Sequence, residues 1–279
     1  MHRALLDTAV AAARAAADVH RSAGRIGVDE WGEKGIFDFV SEVDEEAERC
    51  IVQLVQQRYP DHLFLTEEGT VGRARLRTVG GEPAAEWVWI IDPLDGTTNF
   101  LHHYPMHAAS VAVAQHGTLV AGAVVASATG EEWTALRGGG AFRNGERIYV
   151  SAIGELRRAL IGTGFPFRIP ERIPEYLVQL ERVLRSASGV RRAGSAALDL
   201  CHVATGWFDG FWELVLAPWD VAAGTLIVRE AGGVVTTLGG QDDVLQGGSV
   251  LAGNSIIHER LGELVRQATA GPRSRQSNP

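Results

Sequence analysis

Trp89-Ile90-Ile91-Asp92-Pro93-Leu94-Asp95-Gly96-Thr97-Thr98-Asn99-Phe100 is the stretch around which the chain is organised. From Trp87 to Ile91 the residues are apolar and β-prone, as in a buried strand. The strand delivers two carboxylates, Asp92 and Asp95, with Pro93 fixing its own φ and holding Asp92 extended. Gly96, Thr97 and Thr98 read as a helix opening, where unpaired backbone N–H groups suit a phosphate. One turn thus offers oxygen ligands for a hard cation beside an anion cradle, the pairing that metal-assisted phosphate chemistry needs. Asp-Pro and Asp-Gly are also ordinary turn dipeptides, so the stretch becomes a site only with partners elsewhere in the chain.

The 279 residues allow one large domain or two intimate halves with a substantial core. Hydrophobic residues at 46% and charged ones at 22% are those of an ordinary globular protein. A net charge of −8 argues against non-specific binding to nucleic acid or to an anionic membrane. Two cysteines, Cys50 and Cys201, make neither a disulfide framework nor a zinc site, and fit a reduced compartment. The start lacks the apolar block of a signal peptide, and no apolar run reaches the ~20 residues of a membrane span. A cytoplasmic protein is the expectation.

Helical spacing in the Ala-rich start predicts a helix over residues 2–22, and a second follows over 44–58. Between them, 25–39 reads as a glycine-bearing loop around Trp31, Glu33 and Lys34. A short strand, 62–66, delivers Glu67 and Glu68, and 69–85 reads as an exposed loop. Strands follow over 108–115, 119–127 and 131–137, and Asn144-Gly145 marks a type I′ hairpin. Gly138-Gly139-Gly140, with no helix and no Lys-Ser/Thr after it, is a turn rather than a nucleotide loop. Beyond residue 150, strand and helix alternate to a last helix over 256–269, and the polar tail 271–279 reads as disordered. The chain divides into an α+β half, 1–150, carrying Glu67 and the Asp92/Asp95 turn, and an α/β half, 151–270, carrying Glu213 and Asp220.

Partners for a cation come from two further places. Glu67-Glu68 is either a ligand source or a solvated acidic pair. Asp220, in Pro218-Trp219-Asp220-Val221-Ala222-Ala223-Gly224, starts a helix and serves equally well as an N-cap. The resemblance decides. Asp92-Pro93-Leu94-Asp95-Gly96-Thr97-Thr98-Asn99-Phe100 resembles the first signature of the inositol monophosphatase family of Mg²⁺-dependent phosphatases. Trp219 to Gly224, followed by Arg229-Glu230-Ala231-Gly232-Gly233, resembles the second, and Arg191 to Asp199 and Phe208 to Glu213 resemble the stretch before it. The similarity runs from about Phe37 to Glu263.

What the resemblance implies is specific. The fold would be α+β, a layered αβαβα sandwich. Glu67, Asp92 and the Leu94 carbonyl would bind one Mg²⁺, and Asp92, Asp95 and Asp220 a second, with a weaker third ion near Glu67 and Glu68; Mn²⁺ is a possible substitute. Thr97, with Glu67, would orient a water for in-line attack on phosphorus, while Gly96 and Thr97 N–H groups hold the phosphate. Glu213 would bond substrate hydroxyls, with Ser195 and Ala196 lining the same pocket. Lys34 and Asp44 match positions in and just after a flexible loop of the family. Lithium inhibition and a homodimer are further implications.

Thr66 stands where the family usually has Gly, which tolerates backbone angles that Thr resists. His102 and His103 are expected to face the pocket or a neighbouring subunit, because an all-oxygen ligand set suits Mg²⁺ or Mn²⁺ over zinc. No Gly-x-Ser-x-Gly elbow and no P-loop is present, so acyl and nucleotide-driven chemistry lose ground. The leading reading is hydrolysis of inositol monophosphate or a similar polyol phosphate. Histidinol phosphate, fructose 1,6-bisphosphate and 3′-phosphoadenosine nucleotides are alternatives within the family, and a metal-dead interaction module is the non-enzyme alternative.

Overall fold

A computed structural model describes residues 2–24, 26–27, 31–35, 38–40, 42–69 and 85–269, without the side chains of 33–35, 38–40 and 267–269. Most of the expected loop after Gly69 and the whole tail 271–279 lie outside the described residues.

The first layer is a pair of helices, α1 (His2–Ser22) and α2 (Glu42–Arg58). Between them the expected loop contains a small antiparallel hairpin, β1 (Gly32–Gly35) with β2 (Asp38–Val40). Strands this short, flanked by glycine, carry no period-2 pattern to read. Lys34 lies on β1, and its side chain is outside the described part.

The second layer is a seven-stranded sheet in sequential order. It runs from β3 (Leu63–Thr66) and β4 (Trp87–Asp95) through β5 (Ala108–Gln115), β6 (Thr118–Ala126), β7 (Glu132–Leu136) and β8 (Gly140–Arg143) to β9 (Glu146–Arg147). β3 and β4 are parallel and every later pair is antiparallel. Asn144 and Gly145 take φ of 50° and 82°, the left-handed pair that a type I′ turn demands.

Two-residue periodicity explains how one sheet separates two cores. On β4, Trp89 and Ile91 join α1 and α2 in one apolar cluster, whereas Val88 and Ile90 join the cluster behind the sheet. Full burial of each such side chain contributes roughly 1.5–3 kcal/mol. β4 also continues past the expected end at Ile91, through Pro93 to Asp95. The β4–β5 register shifts between Asp92 and Asp95, so Pro93 sits where the ladder is already broken and its missing N–H is tolerated.

The middle layer is α5 (Ala196–Ala204) and α6 (Pro218–Glu230), preceded in the chain by β10 (Leu160–Thr163), α4 (Ile173–Leu184) and β11 (Gly189–Arg191). A second, five-stranded sheet covers it, ordered β11-β10-β12-β14-β13, with β12 (Gly210–Leu216), β13 (Val234–Thr236) and β14 (Gly248–Gly253). β10 is parallel to both neighbours, and β14 antiparallel to both of its own. Helices α4 and α7 (Ser255–Thr269) close the outer face through Tyr176, Val183, Ile257 and Leu261. The order of layers is α, β, α, β, α. Both cysteines are free.

Candidate active site

The site lies where β4 leaves the large sheet and meets the starts of α5 and α6. A cavity of about 390 Å³ opens there, lined by Glu67, Asp92, Leu94, Asp95, Gly96, Thr97, Ser195, Ala196, Glu213 and Asp220, among others. Those ten positions come from five separated stretches of sequence and line one cavity. Glu68, just beyond Glu67, is not among the lining residues; its N–H donates to the buried Glu48 carboxylate at 2.8 Å.

Each aspartate is aimed by a backbone donor. Asp92 Oδ1 accepts from Leu94 N–H at 3.0 Å, across the proline. Asp95 Oδ2 accepts from the Ser195 hydroxyl at 2.6 Å and from Ala197 N–H at 2.7 Å, which binds it to the N-terminus of α5. Asp220 occupies the third position of α6 rather than its N-cap, and its Oδ2 accepts from Ala217 N–H at 2.7 Å. Asp220 therefore caps the helix with one oxygen while lining the cavity.

Gly96 is required by geometry. Its φ is +91°, and a Cβ there would lie 2.8 Å from Met106 O. The tight turn lets the five-residue α3 (Thr97–Leu101) begin directly under the cavity. Asn99 locks it in place, its amide donating to Met106 O at 2.6 Å and Ala193 O at 2.9 Å. Thr97 Oγ1 lies 3.0 Å from both Asp44 Oδ1 and Leu94 O. Asp44, from the first turn of α2, is wholly buried and reaches the site across 53 residues of chain.

Thr66, in place of the family's Gly, ends β3 in extended backbone, paired with Ile91. Its hydroxyl accepts from Gly69 N–H at 3.2 Å, and Gly69, with φ of 69°, takes the left-handed position instead. Glu67 is thereby held on the ladder, its N–H donating to Ile91 O at 3.3 Å. His102 and His103 are exposed and neither lines the cavity, contrary to a pocket-facing role; His102 packs edge-on to Trp31.

The opposite wall was not foreseen. Phe165, Phe167 and Arg168, on the segment after β10, line the cavity with Arg192, whose guanidinium lies 5.2 and 5.1 Å from the two rings. Two Phe and two Arg separated by some two dozen residues carry no spacing signal. Gly164 is needed beneath them, since a Cβ there would overlap the Glu213 carboxylate.

Electrostatically the carboxyl groups form one system. Burial, then the charges of Glu67, Asp95 and Asp220, push Asp92 well above the usual carboxylate range. Burial, then Glu67 and Asp95, raise Asp220. For Asp95, burial outweighs the bonds from Ser195 and Ala197. Glu213 is pushed up to about 8, by burial first and Asp220 next, with Arg192 opposing. A cation among these carboxyl groups would favour their ionised forms. The donor set, all carboxylate, carbonyl and hydroxyl oxygen, fits Mg²⁺. Among the described residues no three such side chains enclose an ion by themselves. Donors spread around a cavity suit an ion that keeps waters and takes phosphate oxygens as further ligands.

The sequence profile of the inositol monophosphatase family matches residues 1–270. Inositol-1-monophosphatase of Mesorhizobium japonicum is 43% identical, over 95% of this chain and 97% of its own length. Nus factor SuhB of Pseudomonas aeruginosa is 42% identical, over 92% and 94%. Among solved structures, the Thermotoga maritima IMPase aligns with a TM-score of 0.85 at 33% identity, covering 97% of this chain and 99% of the other. The extragenic suppressor protein suhB of Bartonella henselae aligns at 0.84 and 39% identity, covering 95% and 99%.

Proposed function

This chain belongs to the inositol monophosphatase family, and we propose that it is a Mg²⁺-dependent phosphomonoesterase acting on inositol monophosphate or a similar polyol phosphate. One observation supports this above the others: Glu67, Asp92, Asp95 and Asp220 line a single cavity beside Thr97. Glu67, Asp92 and Leu94 O would hold one ion, and Asp92, Asp95 and Asp220 another. When bound, the ions would lower the pKa of a water and neutralise charge on the phosphate.

The chain's own groups do the positioning. Asp44 Oδ1 and Leu94 O compete for the Thr97 hydroxyl proton, leaving Oγ1 lone pairs to orient the attacking water. Glu67 would orient that water together with Thr97. Ser195 and Ala197 hold Asp95 so that the phosphate meets a fixed field rather than a mobile side chain. Arg168 and Arg192 offset part of the negative charge of the cavity. No Cys, Ser or His nucleophile is needed. Phosphate release from a panel of phosphomonoesters, with Mg²⁺ and with chelator, tests the reading.

The 42% identity to a protein named Nus factor SuhB supports a second role beside the first. Asp95→Asn separates them, because loss of phosphate release should leave a non-catalytic role intact.

A further inference from the structure

One carboxyl group in the cavity has no task in the mechanism above. Asp199 lies within the first turn of α5, 1% exposed, its N–H donating to Ser195 O at 3.0 Å. Its Oδ1 meets no hydrogen-bond partner. Of the buried side chains among the described residues with such an orphaned atom, Asp199 alone lines the cavity. A buried carboxyl oxygen without a partner is destabilising and rare, so a group from outside the chain is the natural candidate to satisfy it.

The neighbours say what kind of group. Among the charges acting on Asp199 after burial, Glu213 comes first and Asp95 second, with Arg192 opposing them. Two carboxyl groups set together in an anion-binding cavity would repel a second phosphate or a carboxylate on the substrate. Hydroxyl groups are the partners that suit both. Burial and the Glu213 charge hold the Asp199 carboxyl well above the usual range, so it can donate as well as accept.

We infer that Asp199 is a second hydroxyl-recognition residue, and that its carboxyl and that of Glu213 take up two hydroxyl groups of one polyol. The substrate class is then a phosphate monoester whose carbon skeleton keeps at least two free hydroxyls. The inference rests on the polyol-phosphate reading of the site.

The test is a substrate-by-residue cycle. Wild type, Asp199→Ala and Asp199→Asn are assayed in Mg²⁺ with inositol 1-phosphate, with analogues each lacking one hydroxyl, and with phenyl phosphate. In the wild type, deleting the hydroxyl that Asp199 contacts should lower kcat/KM about tenfold. The same deletion should cost Asp199→Ala less than about twofold, and Asp199→Asn, which keeps hydrogen-bonding atoms, should behave between the two. Deletions that cost Asp199→Ala as much as the wild type at every position overturn the inference. Should Asp199→Ala fail to fold, Asp199→Asn decides. A shift in its preference for inositol 1-phosphate over phenyl phosphate supports the inference, and equal losses on both overturn it. A wild type with no preference for polyol phosphates would overturn the parent reading, and this one with it. A preference that the variants leave intact overturns this one alone.

Discussion

Ser195→Ala removes a single hydroxyl with two duties, and its consequences can be worked from two distances. The hydroxyl donates to Asp95 Oδ2 at 2.6 Å and accepts from Leu198 N–H at 3.3 Å as the N-cap of α5. Loss of an N-cap costs roughly 0.5–2 kcal/mol. A hydrogen bond to a charged acceptor is worth roughly 1.5–3 kcal/mol, but Asp95 Oδ2 keeps Ala197 N–H at 2.7 Å, so the lower end applies. We expect a stability loss of about 2 kcal/mol by urea unfolding. The functional effect is separate. Groups that orient a metal ligand change affinity or activity by roughly 10–100-fold when removed. The Mg²⁺ concentration for half-maximal phosphate release should therefore rise at least about tenfold. A destabilised enzyme whose Mg²⁺ dependence stays within about twofold of wild type would refute the reasoning, reducing Ser195 to a helix cap.

Other expectations follow from the same geometry. Gly96→Ala should destabilise the protein and abolish most activity, since it pairs a left-handed φ costing roughly 1–2 kcal/mol with a 2.8 Å approach to Met106 O; a fully active, fully stable variant would contradict the turn. Glu213→Gln should weaken turnover of inositol 1-phosphate about ten- to a hundredfold more than that of an aryl phosphate, and equal losses would make Glu213 structural. In chelator, stability should fall as pH rises from about 6.5 towards 8. Burial and Asp220 push Glu213 up to about 8 in the fold against an ordinary value near 4.5, so the folded state binds the extra proton in that window, whereas the buried His20, His107 and His202, held neutral by desolvation, act the other way only below about 6.5. Urea midpoints that climb between pH 6.5 and 8 in chelator would contradict it, and Mg²⁺ should flatten the fall.

The strand before Asp92 was legible because Trp87 to Ile91 is a run of apolar residues, and its burial is complete from Val88 to Ile91. Its extension to Asp95 was not, because a proline inside a strand ordinarily argues against one, and only the register shift at Pro93 permits it. Asp220 was readable as a helix-start carboxylate, yet sequence alone could not separate cap from ligand; in the fold its Oδ2 accepts from Ala217 N–H while the residue also lines the cavity. The Thr97–Asp44 contact and the Arg168–Arg192 wall were invisible because tertiary packing, not spacing, brings those residues together. Asp199 stood in the quoted string Arg191 to Asp199 without a role, since an orphaned oxygen is a property of the folded environment alone.

On this reading the carboxylates just after β3, on β4 and in the first turn of α6 would act through a divalent cation. Phosphate release from inositol 1-phosphate, measured in excess chelator and after added Mg²⁺ for wild type and Asp95→Asn, tests it most directly. Release should vanish in chelator and return with Mg²⁺ in the wild type. Asp95→Asn should stay at least about a hundredfold slower, a deficit of about 2.7 kcal/mol in transition-state stabilisation. Full turnover in excess chelator, or an Asp95→Asn variant as fast as wild type in Mg²⁺, would contradict it.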